Sequence, residues 1–187
     1  MDKIALRPAK IDGEGVLAQR SVNHDRMIGP ADPAVLAVTD FAREAPVTVD
    51  QERPIDSALE DMVRFGVRAL LVMHERRIVG LITSYDIQGE RPLQFLQNSN
   101  YEHHRDIRVG HIMTPWSELP ALEWSELQAA HAGELLGMLR HEALTHVLVI
   151  ERGADRTVIV RGLISRARLQ RQLRTSTDGI RPPVHAA

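Results

Sequence analysis

Apolar and polar residues alternate along the chain in two patterns, one with the period of a helix and one typical of short buried strands. The helical pattern spaces four apolar residues at i, i+3, i+4 and i+7, which forms one stripe: Ile55, Ala58, Leu59 and Met62. Two aliphatic runs follow, ALLVM (69–73) and RIVGLIT (77–83). Runs this short and rich in branched residues are typical of buried strands. The pattern therefore predicts a helix followed by two strands.

The same order of patterns occurs a second time. A second helical stripe lies 77 positions later and contains Ala132, Leu135, Leu136 and Leu139. Two further aliphatic runs follow it, HVLVI (146–150) and TVIVRGLI (157–164). GLITSYDI (80–87) then aligns with GLISRARL (162–169) at a shift of 82 positions. The change in shift falls in a polar turn, where insertions are tolerated, so we interpret the chain as two copies of one unit.

Each copy also predicts a short strand before its first helix, at 47–49 and 121–124, and a second helix after its last strand. In the first copy that helix is interrupted at Gly89 and restarts at Pro92, whereas RARLQRQLR predicts a continuous helix in the second copy. The unit is strand, helix, strand, strand, helix, an α/β (α+β) fold. The predicted divisions are an arm (1–37), a first domain (38–97), a linker (98–108), a second domain (109–174) and a tail (175–187).

Composition narrows the classes of partner. The 187 residues carry a formal net charge of -2, so the chain shows no bias towards nucleic acid or an anionic membrane. There is no cysteine, which excludes disulfides, thiolate metal sites and cysteine nucleophiles. No secretory signal or membrane-spanning apolar run is visible, and we expect a cytoplasmic protein.

The duplicated unit resembles a known family. Two copies in which glycine, two aliphatics and a hydroxyl residue precede the last helix resemble the tandem cystathionine β-synthase (CBS) domain pair, or Bateman module. The likeness covers residues 38 to about 174 and includes the lead-in segments VTDFAREAPVTV (38–49) and VGHIMTPW (109–116). The resemblance implies a pseudo-twofold pair of domains that binds an adenosine-containing ligand in a cleft: AMP, ADP, ATP, S-adenosylmethionine or NAD. It also implies a homodimer with a regulatory rather than catalytic role.

The resemblance assigns a binding role to the first copy's motif. Gly80 lets its strand pass close to a neighbouring backbone, and Thr83 ends the strand and caps the next helix. Asp86 can accept hydrogen bonds from the two ribose hydroxyls, because a carboxylate accepts without donating. Plain helix capping and a favourable first-turn charge are simpler roles, and both are compatible with binding. The base would contact mainly the backbones of Val47, Thr48, Val67, Arg68 and Ala69.

The second copy departs from this motif. Ser165 keeps the hydroxyl, but Arg168 stands where the first copy has Asp86, and a guanidinium has no acceptor for a ribose diol. This cleft is either empty, or its Arg168 and Arg166 reach phosphate oxygens bound in the neighbouring cleft. The simpler interpretation is a solvated basic face of Arg168, Arg171 and Arg174. His146, at the position of Ala69, either narrows the cleft or is an ordinary core or rim histidine.

Other functions find less support in the sequence. The densest histidine group, His103, His104 and His111, lies in the linker without metal-ligand spacing, so we expect no metal site and no required cofactor. No phosphate-cradling loop or nucleophile motif is present, and we expect no enzyme activity. A ligand-free scaffold for dimerisation remains the alternative. The arm and tail lack periodicity and should be partly disordered or pack on a partner subunit, and the regulated protein should be a separate chain.

Overall fold

The computed structural model describes residues 27–152 and 157–177, and for residues 174–177 it describes the backbone alone. The strands are β1 (Thr39–Asp40), β2 (Thr48–Asp50), β3 (Ala69–His74), β4 (Arg77–Thr83), β5 (Thr114–Pro115), β6 (Ala121–Glu123), β7 (His146–Arg152) and β8 (Val158–Ser165). The α-helices are α1 (Ile55–Phe65), α2 (Ser84–Gln88), α3 (Arg91–Gln97), α4 (Val109–Ile112), α5 (Trp124–Ala129), α6 (Ala132–His141) and α7 (Arg166–Thr177). Three short 3-10 turns join them, at Ala34–Ala37, His104–Asp106 and Trp116–Glu118.

The two amphipathic helices bury the stripes that the sequence predicts. In α1 the buried residues are Ile55, Ala58 and Met62, and in α6 they are Ala132, Leu135 and Leu139. Helix α1 ends where Gly66 takes a left-handed conformation with φ of 68°, which a residue without Cβ adopts at no steric cost. Both helices are confirmed, as are the two strands that follow each of them and the break at Gly89 between α2 and α3.

The strands form two four-stranded sheets of matching design, with orders β2-β3-β4-β5 and β1-β8-β7-β6. In each sheet the first strand of a copy pairs in parallel with the next strand, and that strand pairs antiparallel with the last. The register also shifts at equivalent places, between Val72 and Met73 in one sheet and between Val149 and Ile150 in the other. A shared irregularity of this kind supports two copies of one fold.

The fourth strand of each sheet comes from the other copy. Strand β5 lies in the lead-in segment of the second copy but pairs with β4, and β1 lies in the lead-in segment of the first copy but pairs with β8. Gly80 and Gly162 lie where these strands cross. A Cβ on Gly80 would lie 2.5 Å from the carbonyl oxygen of Thr114, and one on Gly162 would lie 2.5 Å from that of Thr39. The predicted close approach of backbones at Gly80 is confirmed, and its partner is the other copy's lead-in segment.

Three apolar clusters hold the molecule together. One lies under α1 in the first half and includes Ile107, Val109 and Ile112 from the segment that leads into the second copy. A second lies under α6 and α7 and includes Ile28, Ala34 and Ala37. The third joins the two sheets through Leu71, Leu81, Leu148 and Ile150. Burial stabilises by roughly 1.5–3 kcal/mol per large aliphatic side chain, so this last cluster holds the two sheets together.

Two features differ from the sequence prediction. Residues 27–37 pack on the second half of their own chain, because Ile28, Ala34 and Ala37 are almost fully buried there. The rest of the predicted arm and residues 178–187 of the tail lie outside the described residues. Helix α5 was also not predicted, since the strand at 121–124 was expected to lead directly to the amphipathic helix. Within residues 27–152 and 157–177, no helix is long and apolar enough to cross a bilayer.

The crossing of strands at Gly80 gives a stability prediction. Replacing Gly80 with alanine should lower the free energy of unfolding by about 1–3 kcal/mol, since the added methyl group meets a backbone oxygen that cannot rotate away. The matched control is Gly137→Ala in α6, where an added Cβ would meet nothing within 4 Å. That change should raise the free energy of unfolding by about 0.5–1 kcal/mol through helix propensity. Urea unfolding measures both, and equal effects at the two positions would contradict this account.

Candidate ligand site

A cavity of about 480 Å³ opens between the two copies. One wall is formed by the segment before β2 and by the turn between α1 and β3 in the first copy. The other wall is formed by the end of β8 and the first turns of α7, together with the lead-in segment around β1. The main lining residues are Thr39, Phe41, Glu44, Val47, Val67, Arg68, Ala69, Leu71, His146, Leu163, Ser165, Ala167, Arg168 and Arg171.

The cavity combines residues that the sequence assigned to separate clefts. Val47, Val67, Arg68 and Ala69 were predicted to accompany Thr83 and Asp86 of their own copy. In the structure they face Ser165, Arg168 and His146 of the second copy instead. Thr83, Asp86, Thr48 and Arg166 are not among the residues that line this cavity. The cavity thus brings Val67, Arg68 and Ala69 of the first copy opposite Ser165 of the second, and the binding roles of all these residues stay predictions.

Thr83 and Asp86 hold each other at the start of α2. The Thr83 hydroxyl accepts the backbone N–H of Asp86 at 3.3 Å, and the Asp86 carboxylate accepts the backbone N–H of Thr83 at 2.8 Å. The same carboxylate oxygen also accepts the Thr83 hydroxyl proton at 2.7 Å. This reciprocal arrangement is a capping box, so the predicted N-cap role of Thr83 is confirmed.

The second carboxylate oxygen of Asp86 faces a cation of its own domain. Arg91 Nε lies 3.2 Å from Asp86 Oδ1. The same guanidinium donates to the carbonyl of Ile112 at 2.8 Å and to the hydroxyl of Thr114 at 3.2 Å, which ties α3 to the lead-in of the second copy. Both oxygens of Asp86 are thus engaged within the protein. A ribose bound here would have to share or replace these contacts, and ribose binding by Asp86 stays a prediction.

Arg168 crosses from α7 to the lead-in strand of the first copy. Its Nη1 donates to the hydroxyl of Thr39, while its Nε is buried and has no hydrogen-bond partner among the described residues. Arg168 is therefore not part of a solvated basic face, although Arg171 is exposed. The side chain of Arg174 lies outside the described residues. With Arg68, the cavity wall carries three guanidinium groups against the single carboxylate of Glu44 among its described lining residues.

His146 is a buried wall residue of the cavity. Its side chain is 8% exposed, and Nδ1 lies 3.3 Å from the Thr145 hydroxyl. Burial lowers the pKa of His146 to about 4, the charge of Asp86 opposes this shift, and that of Arg166 adds to it. The imidazole is consequently neutral at physiological pH. The sequence left two roles open for His146, narrowing of the cleft or a core position. In the structure the residue is buried and also lines the cavity.

The linker histidines take separate partners. His103 lies 3.8 Å from Asp106, and His104 lies 3.5 Å from Asp56. His111 stacks on Phe95 with ring centroids 4.5 Å apart. In the part of the chain that the structure describes, no three potential metal ligands come together.

Sequence reasoning missed the contribution of the lead-in segment. Thr39, Phe41 and Glu44 line the cavity although the sequence assigned them only to the start of the first copy. Their position follows from β1, which pairs with β8 of the second copy. The glycine that both copies share could have revealed that each copy's lead-in strand pairs with the other copy's sheet. Gly80 and Gly162 each leave room for that crossing strand.

Comparison with known proteins agrees with this architecture. A family model described as "CBS domain" matches residues 38–91. The fold is similar to an uncharacterized conserved protein from Pyrococcus horikoshii, with 18% identity, a TM-score of 0.52 and coverage of 84% of this chain and 99% of that chain. It is also similar to CBSX2 in complex with AMP, with 18% identity, a TM-score of 0.50 and coverage of 79% and 97%.

A third similar structure is the CBS domain of the bacterial CNNM/CorC family Mg2+ transporter in complex with ATP. It has 16% identity and a TM-score of 0.50, with coverage of 77% of this chain and 88% of that chain. A search of curated proteins finds no match. Residues 38–91 thus match the CBS domain model, and the fold of the chain is similar to that of solved CBS-domain structures.

The capping box gives the first prediction at this site. Asp86→Ala removes two hydrogen bonds to Thr83 and leaves Arg91 without its carboxylate. We expect a loss of about 1–2 kcal/mol in the free energy of unfolding, measured by urea titration. Glu90→Ala, an exposed change at the N-cap of α3 that makes no side-chain capping bond, should cost less than about 0.5 kcal/mol. If both substitutions cost the same, Asp86 has no special structural role.

His146 gives a prediction about pH. In the unfolded chain His146 takes up a proton near the ordinary histidine pKa, whereas in the folded protein it does so only near pH 4. The stability that neutral His146 contributes is therefore present above about pH 6.5 and is lost as the pH falls from there to about 4. The loss should amount to roughly 2–4 kcal/mol. In His146→Leu the fall in unfolding free energy over this range should shrink by that amount. His141→Gln, on an exposed histidine, should keep the wild-type profile.

Proposed function

We propose that this chain is a non-enzymatic regulatory module that senses an adenosine-containing ligand in the cavity between its two copies. The observation that carries the proposal is the lining of that cavity, to which both copies contribute. Its volume of about 480 Å³ falls in the range of small-molecule sites, roughly 300–1,000 Å³. Its mixture of an apolar wall with a few hydroxyl and guanidinium groups suits a ligand that joins a flat base to a polar chain.

Each part of the ligand has a matching part of the wall. The base lies against Val47, Ala69 and Leu71, where the wall is apolar. The backbones of Val67 and Arg68, just before β3, read the edge of the base. Ser165 and Thr39 offer hydroxyls deeper in the cavity, and Arg168 at the start of α7 faces the phosphate end. The positive end of the α7 dipole favours the same orientation.

Two similar structures support this ligand class. CBSX2 is described in complex with AMP, and the transporter CBS domain in complex with ATP. The fold of this chain is similar to each of them, with a TM-score of 0.50 in both comparisons. The proposal is that the chain binds one of five compounds: AMP, ADP, ATP, S-adenosylmethionine or NAD. Its role in this proposal is regulatory rather than catalytic.

The proposed mechanism is a shift between relative orientations of the two copies. A ligand that touches both walls stabilises the orientation in which both contacts are made, by the difference in its affinity for the two arrangements. A separate protein reads that orientation. That the protein acts in the cytoplasm stays a prediction from the sequence.

We also propose that two chains pair through their helical faces. The support is a group of exposed apolar side chains on the first copy's helices, where Val63 is 78% exposed and Tyr85 and Leu93 are 55% and 59% exposed. Such patches mark interaction surfaces on soluble domains. Sedimentation of the wild type and of Val63→Asp should show a dimer and a monomer respectively. A wild-type monomer at tens of micromolar would contradict the pairing.

The decisive test of ligand binding is a thermal melting screen with AMP, ADP, ATP, NAD, S-adenosylmethionine and GTP. A ligand at a hundredfold excess over its Kd adds about 2.7 kcal/mol, which should raise the Tm by roughly 5–10 °C in a chain of this size. Ala69→His places in the first copy the residue that the second copy has at the same position, and it fills the cavity from within. This variant should lose the shift while its ligand-free Tm shows that it is folded.

Asp86→Ala separates the two possible locations. If the ligand occupies the cavity, this variant should keep an affinity within about twofold of wild type. Loss of binding in Asp86→Ala with retention in Ala69→His would instead place the ligand at the Thr83 and Asp86 motif. No shift with any of the six compounds would favour the alternative function, a ligand-free scaffold.

A further inference from the structure

We infer that the cavity selects its ligand through the phosphate chain and not through the ribose hydroxyls. This inference rests on the proposed function and specifies the ligand class as nucleoside diphosphates and triphosphates. The observation behind it is the exchange of charge at one position of the duplicated motif, where Arg168 in the cavity wall corresponds to Asp86 of the first copy.

The chemistry of the wall is that of an anion site. Arg68 lines the cavity from the turn before β3, and Arg168 and Arg171 line it from α7, so basic residues of both copies border the cavity. A guanidinium group only donates hydrogen bonds, and its planar geometry suits phosphate oxygens. Arg168 is also the third residue of a 12-residue helix, whose N-terminal end adds positive potential.

The hydrogen bonding of Arg168 points in the same direction. One terminal nitrogen donates to Thr39 of the first copy's lead-in segment, which lies in the same wall and fixes the position of the guanidinium there. Its Nε is buried and lacks an acceptor among the described residues. A buried donor without a partner is costly in the ligand-free protein. Nε is enclosed by protein atoms, so a phosphate oxygen in the cavity would contact the terminal nitrogens of this guanidinium, whose position the bond to Thr39 fixes.

Among its described residues, the cavity wall offers no well-placed carboxylate that could accept hydrogen bonds from both ribose hydroxyls. Glu44 is the one carboxylate among the described lining residues, and it lies on the exposed rim of the lead-in segment. Asp86, the acceptor that the motif provides in the first copy, is held by Thr83 and Arg91 and does not line the cavity. The sugar therefore acts as a spacer between the base and the phosphates. S-adenosylmethionine, which places a sulfonium cation at this point, is disfavoured by the three arginines.

The test compares ligands that differ in one part at a time. Calorimetric titration of the full chain with ATP, ADP, AMP and adenosine should give affinity that rises with each phosphate and falls with added salt. Titration with 2′,3′-dideoxy-ATP should give a Kd within about threefold of ATP. A carboxylate that accepted both hydroxyls would make removal of the diol cost at least about tenfold.

Variants identify the groups responsible. Arg168→Gln and Arg68→Gln should each weaken ATP binding by roughly tenfold or more and change the affinity for adenosine by less than about twofold. Equal losses for ATP and adenosine would mean that the substitution merely loosened the fold, and would overturn the inference. The matched control is Arg77→Gln, an exposed arginine at the start of β4 that does not line the cavity, which should bind like wild type.

The outcomes separate this inference from the proposed function. If ATP binds but dideoxy-ATP binds tenfold more weakly, the ribose is recognised and the inference is wrong, although nucleotide sensing stands. If adenosine binds as tightly as ATP, the inference fails in the same way. If no nucleotide binds, the proposed function itself fails.

Discussion

The close crossing of strands at Gly80 and Gly162 is the constraint on which the rest of this structure depends. Each glycine lies in the last strand of one copy, and across it runs the lead-in strand of the other copy. A side chain at either position would meet a backbone carbonyl, so the exchange is possible only where Cβ is absent. Because each sheet is completed by a strand from the opposite half, neither copy has its full sheet alone.

The exchange also decides which residues face each other. With β1 beside β8, the segment that runs from β1 to β2 must cross from the second copy's sheet to the first copy's sheet. Along that path it brings Phe41, Glu44 and Val47 over the start of α7. The bidentate pair of Arg161 with Asp40, at 3.0 and 3.2 Å, fixes the beginning of this path. The cavity is thus a consequence of chain connectivity, which is why residues of both copies line it.

The sequence predicted the local elements well and the contacts between them less well. The stripes of α1 and α6, the strand pairs and the capping role of Thr83 follow from short-range periodicity and hydroxyl chemistry, and all are present. Periodicity within one element, however, carries no information on which copy supplies a neighbouring strand. The residues of the predicted pocket were therefore grouped by copy, whereas the structure groups Ala69 with Ser165 and leaves Asp86 elsewhere. Helix α5 was missed because WSELQA is too short to show a helical stripe.

Asp86 and Arg168 occupy equivalent positions of the two copies but have different partners, so the two copies are not interchangeable. Asp86 satisfies its charge within its own half, through Thr83 and Arg91, and stabilises a helix start. Arg168 instead reaches Thr39 across the boundary between the halves. A ligand that engages Arg168 must therefore act on a contact between the copies, whereas one that engages Asp86 must first disturb a cap inside a single copy. Asp86 is connected to the second copy through Arg91, which also bonds Ile112 and Thr114, whereas the bond of Arg168 to Thr39 itself joins the two copies. In the proposed mechanism a ligand at Arg168 therefore acts directly on the energy of the relative orientation.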